Sequence, residues 1–322
     1  MKNVLLIGYY GYGNYGDELM RQSIKEFLIE KNYRVMELLP KEKKKLNEYN
    51  RFNPFSVIKA IIKSDVVICG GGGVLQDKTS FKSFMYYYLL FKTALLFRKP
   101  LIFFGNSFGP FYNYASRILM KNLLESKKLY IFARDPVSYR YAKNFNKNSF
   151  LCTDPGIRKL GSIKVESSKE SNKAVIIPRR VKNYVPLLLT LKSQGINEVV
   201  YVPFSPQDEV LAKKLSNISI KGLNSRFSNL IIEEISSSKI VVSERFHGAL
   251  VSAFLGKAFI SVNDEKFRRF FNRYSSNNSH FAHDLFDASL KVKELVNPNI
   301  YKKMKEDAEE MYEKLEKLLV NL

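Results

Sequence analysis

Apolar runs alternate with amphipathic stretches from the first residues of the chain. Val4–Tyr10 is an unbroken run of the kind carried by a strand buried on both faces. Asp17–Lys31 repeats Leu19, Ile24, Phe27 and Leu28 at helical spacing. Arg34–Leu39 predicts a second strand, and Pro54–Lys63 a helix with Phe55, Ile58 and Ile62 on one face. Asp65–Gly70 predicts a third strand, ending in Gly70-Gly71-Gly72-Gly73. A helix over Phe81–Phe97, a strand over Leu101–Gly105, a helix over Tyr114–Ser126, a strand over Leu129–Ala133 and a helix over Pro136–Phe145 follow. Ser149–Thr153 closes the series before Asp154-Pro155-Gly156.

Residues 157–172 are polar and charged and read as a linker. A second alternation then begins. Strands are expected at Ala174–Pro178, Glu198–Pro203, Ile218–Lys221, Lys239–Ser243 and Lys257–Val262. Helices are expected at Tyr184–Ser193, Gln207–Ser216, Asn229–Ser237, Gly248–Leu255 and Glu265–Arg273. Alternation of this kind predicts α/β architecture with doubly wound parallel sheets. The expected layout is an N-terminal Rossmann-like domain over 1–156, a C-terminal one over 173–297 with a cleft between them, and a long helix over 298–322.

Composition narrows the class. No run is long and apolar enough to span a bilayer, and the N-terminus enters a strand and a glycine turn without a signal-peptide pattern. Cys69 and Cys152 sit in apolar runs and read as buried thiols. These features point to the cytoplasm. The net charge of +21 is uneven: residues 51–200 hold 25 Lys and Arg against 8 Asp and Glu. A basic half suggests an anionic partner, whether nucleic acid, lipid or a phosphorylated substrate. A Lys-rich surface without a partner is the plainer alternative. No carboxylate, His or Cys spacing suggests a metal.

Candidate chemistry clusters at expected strand ends, where open α/β sheets bind ligands. Ser243-Glu244-Arg245-Phe246-His247-Gly248 joins a strand to a helix N-terminus, a setting that favours anions. Gly11-x-Gly13-x-x-Gly16 matches the dinucleotide fingerprint by letter. Asp17 in the next turn would repel a pyrophosphate, and Glu37 lies inside its strand rather than at its end. Asn14 and Asp17 are either helix caps or polar groups of a site. Gly70–Gly73 marks either a close backbone approach to a ligand or a tight crossing of loops. Asn106-Ser107-Phe108-Gly109-Pro110 extends the same rim. Arg134 either pairs with Asp135 or Asp154 or holds an anionic ligand. Phe81–Pro100 carries aromatics with basic flanks and fits a buried crossover helix or an interfacial one. His280 and His283 lie in a polar loop and carry no signal comparable to His247.

In order along residues 3–275, Gly13-Asn14-Tyr15-Gly16-Asp17-Glu18, Gly70–Gly73 with Asp77, Ser107-x-Gly109-Pro110, Arg134-Asp135, Asp154-Pro155 and Arg245-Phe246-His247-Gly248 resemble the polysaccharide pyruvyl transferase family. The nearest likeness is to bacterial cell-wall enzymes that pyruvylate a lipid-linked disaccharide containing N-acetylmannosamine. The resemblance implies two facing Rossmann-like domains of the GT-B type. It implies phosphoenolpyruvate as donor substrate, no separate cofactor, and a pyruvate ketal on a sugar as product. It further implies that Arg134, Arg245 and Lys266 hold the donor. His247 is the expected acid, and Asp17 the group that orients or deprotonates an acceptor hydroxyl. Gly13, Asn14, Gly16, Gly71, Gly72, Asp77 and Ser107 are the expected remainder of the substrate site. Two positions depart from the family pattern: Phe246 stands where Leu is common, and Glu244 is placed to pair with Arg245.

A diphosphate-linked lipid acceptor would bring the enzyme to the inner face of the cell membrane as a peripheral protein. Two rivals belong to other classes. A GT-B glycosyltransferase using a nucleotide sugar shares the architecture. A nucleic-acid-binding protein is suggested by charge alone, without a recognisable binding module.

Overall fold

Two parallel sheets, each flanked by helices, are what the alternation produces. The computed structural model describes every residue except 41–45, 164–170, 180–182, 217–219, 223–227, 277 and 295–296. Contacts divide the chain into two units. The first comprises Met1–Tyr12, Asp17–Lys159 and Glu306–Leu322; the second comprises Gly13–Gly16 and Leu160–Lys305.

The first unit is built from β1 (Asn3–Ile7), α1 (Tyr15–Glu30), β2 (Arg34–Leu39), β3 (Glu48–Asn50), α2 (Pro54–Lys63), β4 (Val66–Gly72), α3 (Phe81–Leu96), β5 (Leu101–Asn106), α4 (Tyr114–Leu124), β6 (Leu129–Ala133), α5 (Pro136–Lys143), β7 (Ser149–Leu151) and the start of α6 (Gly156–Ser162). Its strands run parallel in the order β3-β2-β1-β4-β5-β6-β7. The order reverses between β1 and β4, which opens a ligand crevice beyond their carboxyl ends. One sheet face packs α2, α3, α4 and α5 through Ile61, Phe84, Phe91, Met120 and Ala142. The other face packs α1 and the C-terminal helix through Phe27, Met311, Tyr312 and Leu315. Tyr312 is buried there, with its hydroxyl shared between Ser23 and the Pro155 carbonyl.

The second unit continues with β8 (Lys173–Ile177), α7 (Val185–Ser193), β9 (Glu198–Tyr201), α8 (Pro206–Ser216), β10 (Lys221–Gly222), α9 (Ser228–Ser236), β11 (Ile240–Ser243), α10 (Phe246–Phe254), β12 (Ala258–Val262), α11 (Glu265–Phe271), β13 (Phe281–Ala282), α12 (Leu285–Lys291) and the beginning of α13 (Tyr301–Asn321). Its order is β10-β9-β8-β11-β12-β13, so this sheet reverses between β8 and β11.

Several expectations need correction. The stretch read as a linker begins with α6, and 164–170 lie outside the described residues. Part of the strand expected over Ile218–Lys221 also lies outside them. β4 runs two residues further than Gly70, because Gly72 also pairs with β5. α2 buries Ala60 and Ile61, and its Phe55-Ile58-Ile62 stripe points to solvent. α3 is a buried crossover helix along Phe84, Tyr87, Leu90 and Phe91. His280 is buried, stacked on Phe259, with Nδ1 at the Phe259 carbonyl; burial pushes its pKa down.

Glu37 makes one feature of the first unit testable. It is buried within β2, and its carboxylate accepts from Arg21 at 2.6 and 3.1 Å and from Lys25 at 2.6 Å. Burial pushes the carboxyl pKa up, and the bonds and charges of Arg21 and Lys25 outweigh that, leaving it depressed. A depressed folded value means that the stabilisation is complete above the unfolded pKa and is lost as pH falls through the folded one. Glu37→Gln is expected to lower unfolding free energy at neutral pH by about 3 kcal/mol. Chemical denaturation should show the gap between wild type and variant closing as pH drops below roughly 4.

Candidate active site

The reversal point of the second sheet lies beyond β11, where Ser243 ends the strand. Ser243 Oγ accepts the Arg245 N–H at 3.1 Å and donates to the Arg245 carbonyl at 2.8 Å. This turn sets Arg245 as the N-cap of α10, with φ −117° and ψ 134°. Gly248 lets the helix close down, since a Cβ there would stand 2.3 Å from Ser243 Oγ.

Arg245 is held from one side. Its Nη2 donates to Ser205 Oγ at 3.0 Å and pairs with the fully buried Asp208 carboxylate. Asp208 also accepts the Phe204 N–H at 3.1 Å. The other edge differs: Nε is buried and has no hydrogen-bond partner among the described residues. A buried guanidinium N–H left unsatisfied is costly and marks a place for an acceptor. Glu244 does not compete for Arg245. Its carboxylate accepts from the Arg179 N–H at 2.9 Å and the Tyr184 hydroxyl at 3.3 Å. Burial, with Glu244 beside it, raises the Tyr184 pKa and keeps that hydroxyl a donor.

His247 stands in the first turn of α10, half-buried. Its imidazole lies on the backbone of Gly16, so closely that a Cβ at Gly16 would stand 1.9 Å from Nδ1. No side chain other than hydrogen fits there. The loop is fixed around that contact: Asn14 Oδ1 accepts the Gly16 N–H at 3.1 Å, the Tyr15 N–H donates to the Phe204 carbonyl at 2.8 Å, and the Tyr15 and Phe204 rings meet edge to face. Phe246 fills the space behind, edge-on to His247, Phe267 and Phe270. The larger ring at this position thereby ties α10 to α11, whose first turn carries Lys266.

The first unit gathers a second group at its own reversal point. Gly71 and Gly72 have φ of +75° and +78°, and the Asp17 carboxylate lies 3.4 Å from where a Gly72 Cβ would be. The glycines have packing reasons as well: a Cβ at Gly70 would strike the Tyr10 hydroxyl and Ile24, and one at Gly71 would strike Met20. Asn106 sews the rim together, its amide donating to the Gly71 and Gly72 carbonyls at 3.0 and 3.3 Å.

Three expected substrate contacts have other work here. Arg134 is buried, with Nε on Ser107 Oγ and Nη1 on Asp154, both at 2.8 Å. A buried charge needs such pairing, and it engages Arg134 Nε and Nη1 with Ser107 and Asp154. Asp135 caps α5 and accepts from Ser138. Asp77 clamps the loop before α4, accepting the Tyr112 and Asn113 N–H groups at 2.7 and 2.8 Å. Burial raises the Asp77 carboxyl pKa, and those bonds outweigh it and hold the value below the ordinary carboxylate range.

Three residues with a part in these arrangements escaped the sequence reading. Ser205 and Asp208 carry a readable signal in Ser205-Pro206-Gln207-Asp208, a helix-start pattern with proline at the first position. Arg51 carries none. It is buried at the end of β3, bonded to the Gly8 carbonyl and the Tyr87 hydroxyl, with Tyr12 and Tyr86 ring faces beside it.

The family described as polysaccharide pyruvyl transferase matches residues 14–265. No curated protein matches the sequence. Among solved structures, UDP-N-acetylglucosamine 2-epimerase from Rickettsia bellii is 12% identical, with 100% of this chain and 96% of that one covered and a TM-score of 0.65. The 2-epimerases from Methanocaldococcus jannaschii and from Neisseria meningitidis, the latter bound to UDP-GlcNAc, are each 12% identical with both chains fully covered and a TM-score of 0.62. These likenesses establish the fold as that of GT-B-type enzymes.

Proposed function

The chain belongs to the polysaccharide pyruvyl transferase family, and from that premise we propose that it moves pyruvate from phosphoenolpyruvate to a sugar of a lipid-linked cell-wall or surface polysaccharide precursor. The product is a pyruvate ketal, on N-acetylmannosamine in this reading, and phosphate is released. The observation that carries the reading is Arg245: one edge of its guanidinium is fixed by Asp208 and Ser205, its buried Nε–H has no acceptor among the described residues, and His247 follows two residues on in α10.

Phosphoenolpyruvate carries a carboxylate and a phosphate, and a fixed guanidinium at a helix N-terminus suits either group. Lys266 adds a second cation from α11. Ketal formation begins when protonated His247 gives its proton to C3 of the enol. A sugar hydroxyl attacks C2 and loses its proton, and the C2–O bond to phosphate breaks. A second hydroxyl of the same sugar then closes on C2 and loses its proton in turn. One hydroxyl proton replaces the one that C3 took, and the other leaves with phosphate. Asp17 is assigned to orienting or deprotonating an acceptor hydroxyl, and Asn14 and Gly16 to holding the imidazole in place. A lipid-diphosphate acceptor makes the enzyme a peripheral protein at the inner membrane leaflet.

The test is incubation with phosphoenolpyruvate and a lipid-diphosphate disaccharide containing N-acetylmannosamine. Acceptor-dependent phosphate release and an acceptor heavier by one ketal are expected. Product from a nucleotide sugar, with phosphoenolpyruvate untouched, overturns the reading.

A further inference from the structure

The outer surface of α2, α3 and α4 differs in kind from the other helical surface of the same unit. α2 turns its apolar stripe outward: Phe55 is 84%, Ile62 52% and Ile58 39% exposed. A helix that only closed a parallel sheet would bury that stripe. The neighbouring helix α3 exposes Leu89 and Leu96, and α4 exposes Tyr114 and Ile118. The three lie side by side on one sheet face. Lys99 joins the ends of α2 and α3 through the Ile62 and Ser64 carbonyls, and Lys92 joins α3 to Asn122 of α4.

Charge on this surface is predominantly positive; its carboxylates sit at the helix ends, Asp65 just after α2 and Glu125 at the C-cap of α4, where it pairs with Lys121 at 3.8 Å. The sequences of α2, α3 and α4 contain Lys59, Lys63, Lys82, Lys92, Arg117 and Lys121 and no Asp or Glu. A Lys-rich composition alone does not account for that. On the opposite sheet face of the same unit, α13 mixes its lysines with Glu309, Glu310, Glu313 and Glu316. The chain therefore has carboxylates to distribute and keeps them off α2, α3 and α4.

We infer that this face is a docking surface for an anionic lipid bilayer, with α2 lying in the headgroup region, Phe55, Ile58 and Ile62 inserted and the lysines on lipid phosphates. Exposed apolar stripes flanked mainly by cations are the pattern of interfacial helices, and the two contributions reinforce each other. A surface mode of attachment also accords with the helices themselves, since none in the described residues is long and apolar enough to cross a membrane. The inference deepens the membrane contact of the proposed function and is independent of the donor.

Co-sedimentation with phosphatidylglycerol–phosphatidylcholine vesicles tests it, with pure phosphatidylcholine vesicles as the neutral arm. Wild type should sediment with the anionic vesicles and be released by salt. Phe55→Ser/Ile58→Ser/Ile62→Ser and, separately, Lys59→Glu/Lys63→Glu should each weaken binding about tenfold or more. Both sets are exposed, so thermal midpoints should stay within a few degrees of wild type, roughly the span of neutral surface changes. If wild type ignores anionic vesicles, the membrane contact itself fails. If wild type binds and both variants bind equally well, the contact stands and this surface is wrong. A concentration-dependent dimer dissolved by the serine variant, with no vesicle binding by wild type, assigns the face to a second copy and overturns the inference. Phosphate release from phosphoenolpyruvate with a soluble acceptor analogue is unaffected by any of these outcomes and tests the donor separately.

Discussion

His247→Gln is expected to lower kcat about a thousandfold, within the range that loss of a general acid produces, while KM for phosphoenolpyruvate changes little. Glutamine keeps hydrogen-bonding groups near the imidazole position but cannot deliver a proton to the enol carbon. Gly16→Ala should give the same phenotype without touching an ionisable group. Its new Cβ would lie 1.9 Å from Nδ1, and the ring must leave its place to accept it. A misplaced reacting group costs about a hundredfold or more. Because both changes disable one device, the double variant should fall no further than the worse single one. Stopped assays of acceptor-dependent phosphate release measure all three. A Gly16→Ala enzyme with wild-type kcat would show that the imidazole does not need its present seat.

How much of this arrangement was legible depended on which interaction fixes each residue. The long parallel strands were visible because burial on both faces writes an unbroken apolar run, as in Val4–Ile7 and Val66–Cys69. β3 was not, since Glu48-Tyr49-Asn50 has no such run and is held by pairing with β2. β13 is two residues long and leaves no periodicity at all. Arg245 and His247 could be placed because a strand end and a helix start adjoin in sequence. Asp208, which fixes Arg245, lies 37 residues away in the chain, and only a helix-cap pattern hinted at its presence. The glycine run at 70–73 shows the converse limit. It announced a close approach, but what approaches Gly70 and Gly71 is the chain's own Tyr10 and Met20. Periodicity likewise declared α2 amphipathic without saying which side faced the sheet. Ala60 and Ile61 do, with Val57 packed beside them, and Phe55, Ile58 and Ile62 are left outside.

Arg245→Ala is expected to raise KM for phosphoenolpyruvate about a hundredfold, the loss of a fixed, charge-assisted anion contact. It should also destabilise the second unit by about 3 kcal/mol, because Asp208 remains fully buried with its cation gone. The two effects have separate causes and can be pulled apart. Adding Asp208→Asn removes the orphaned charge while leaving the Phe204 N–H an oxygen to bond. The double variant should therefore recover most of the lost stability in chemical denaturation and none of the lost donor affinity. Arg245→Lys is the sharper control. A lysine ammonium can still meet Asp208, so stability should hold, but it lacks the second donor edge that Nε provides. Donor affinity in Arg245→Lys should stay close to that of Arg245→Ala. Wild-type affinity in the lysine variant would mean that charge alone, and not the buried Nε–H, holds the donor.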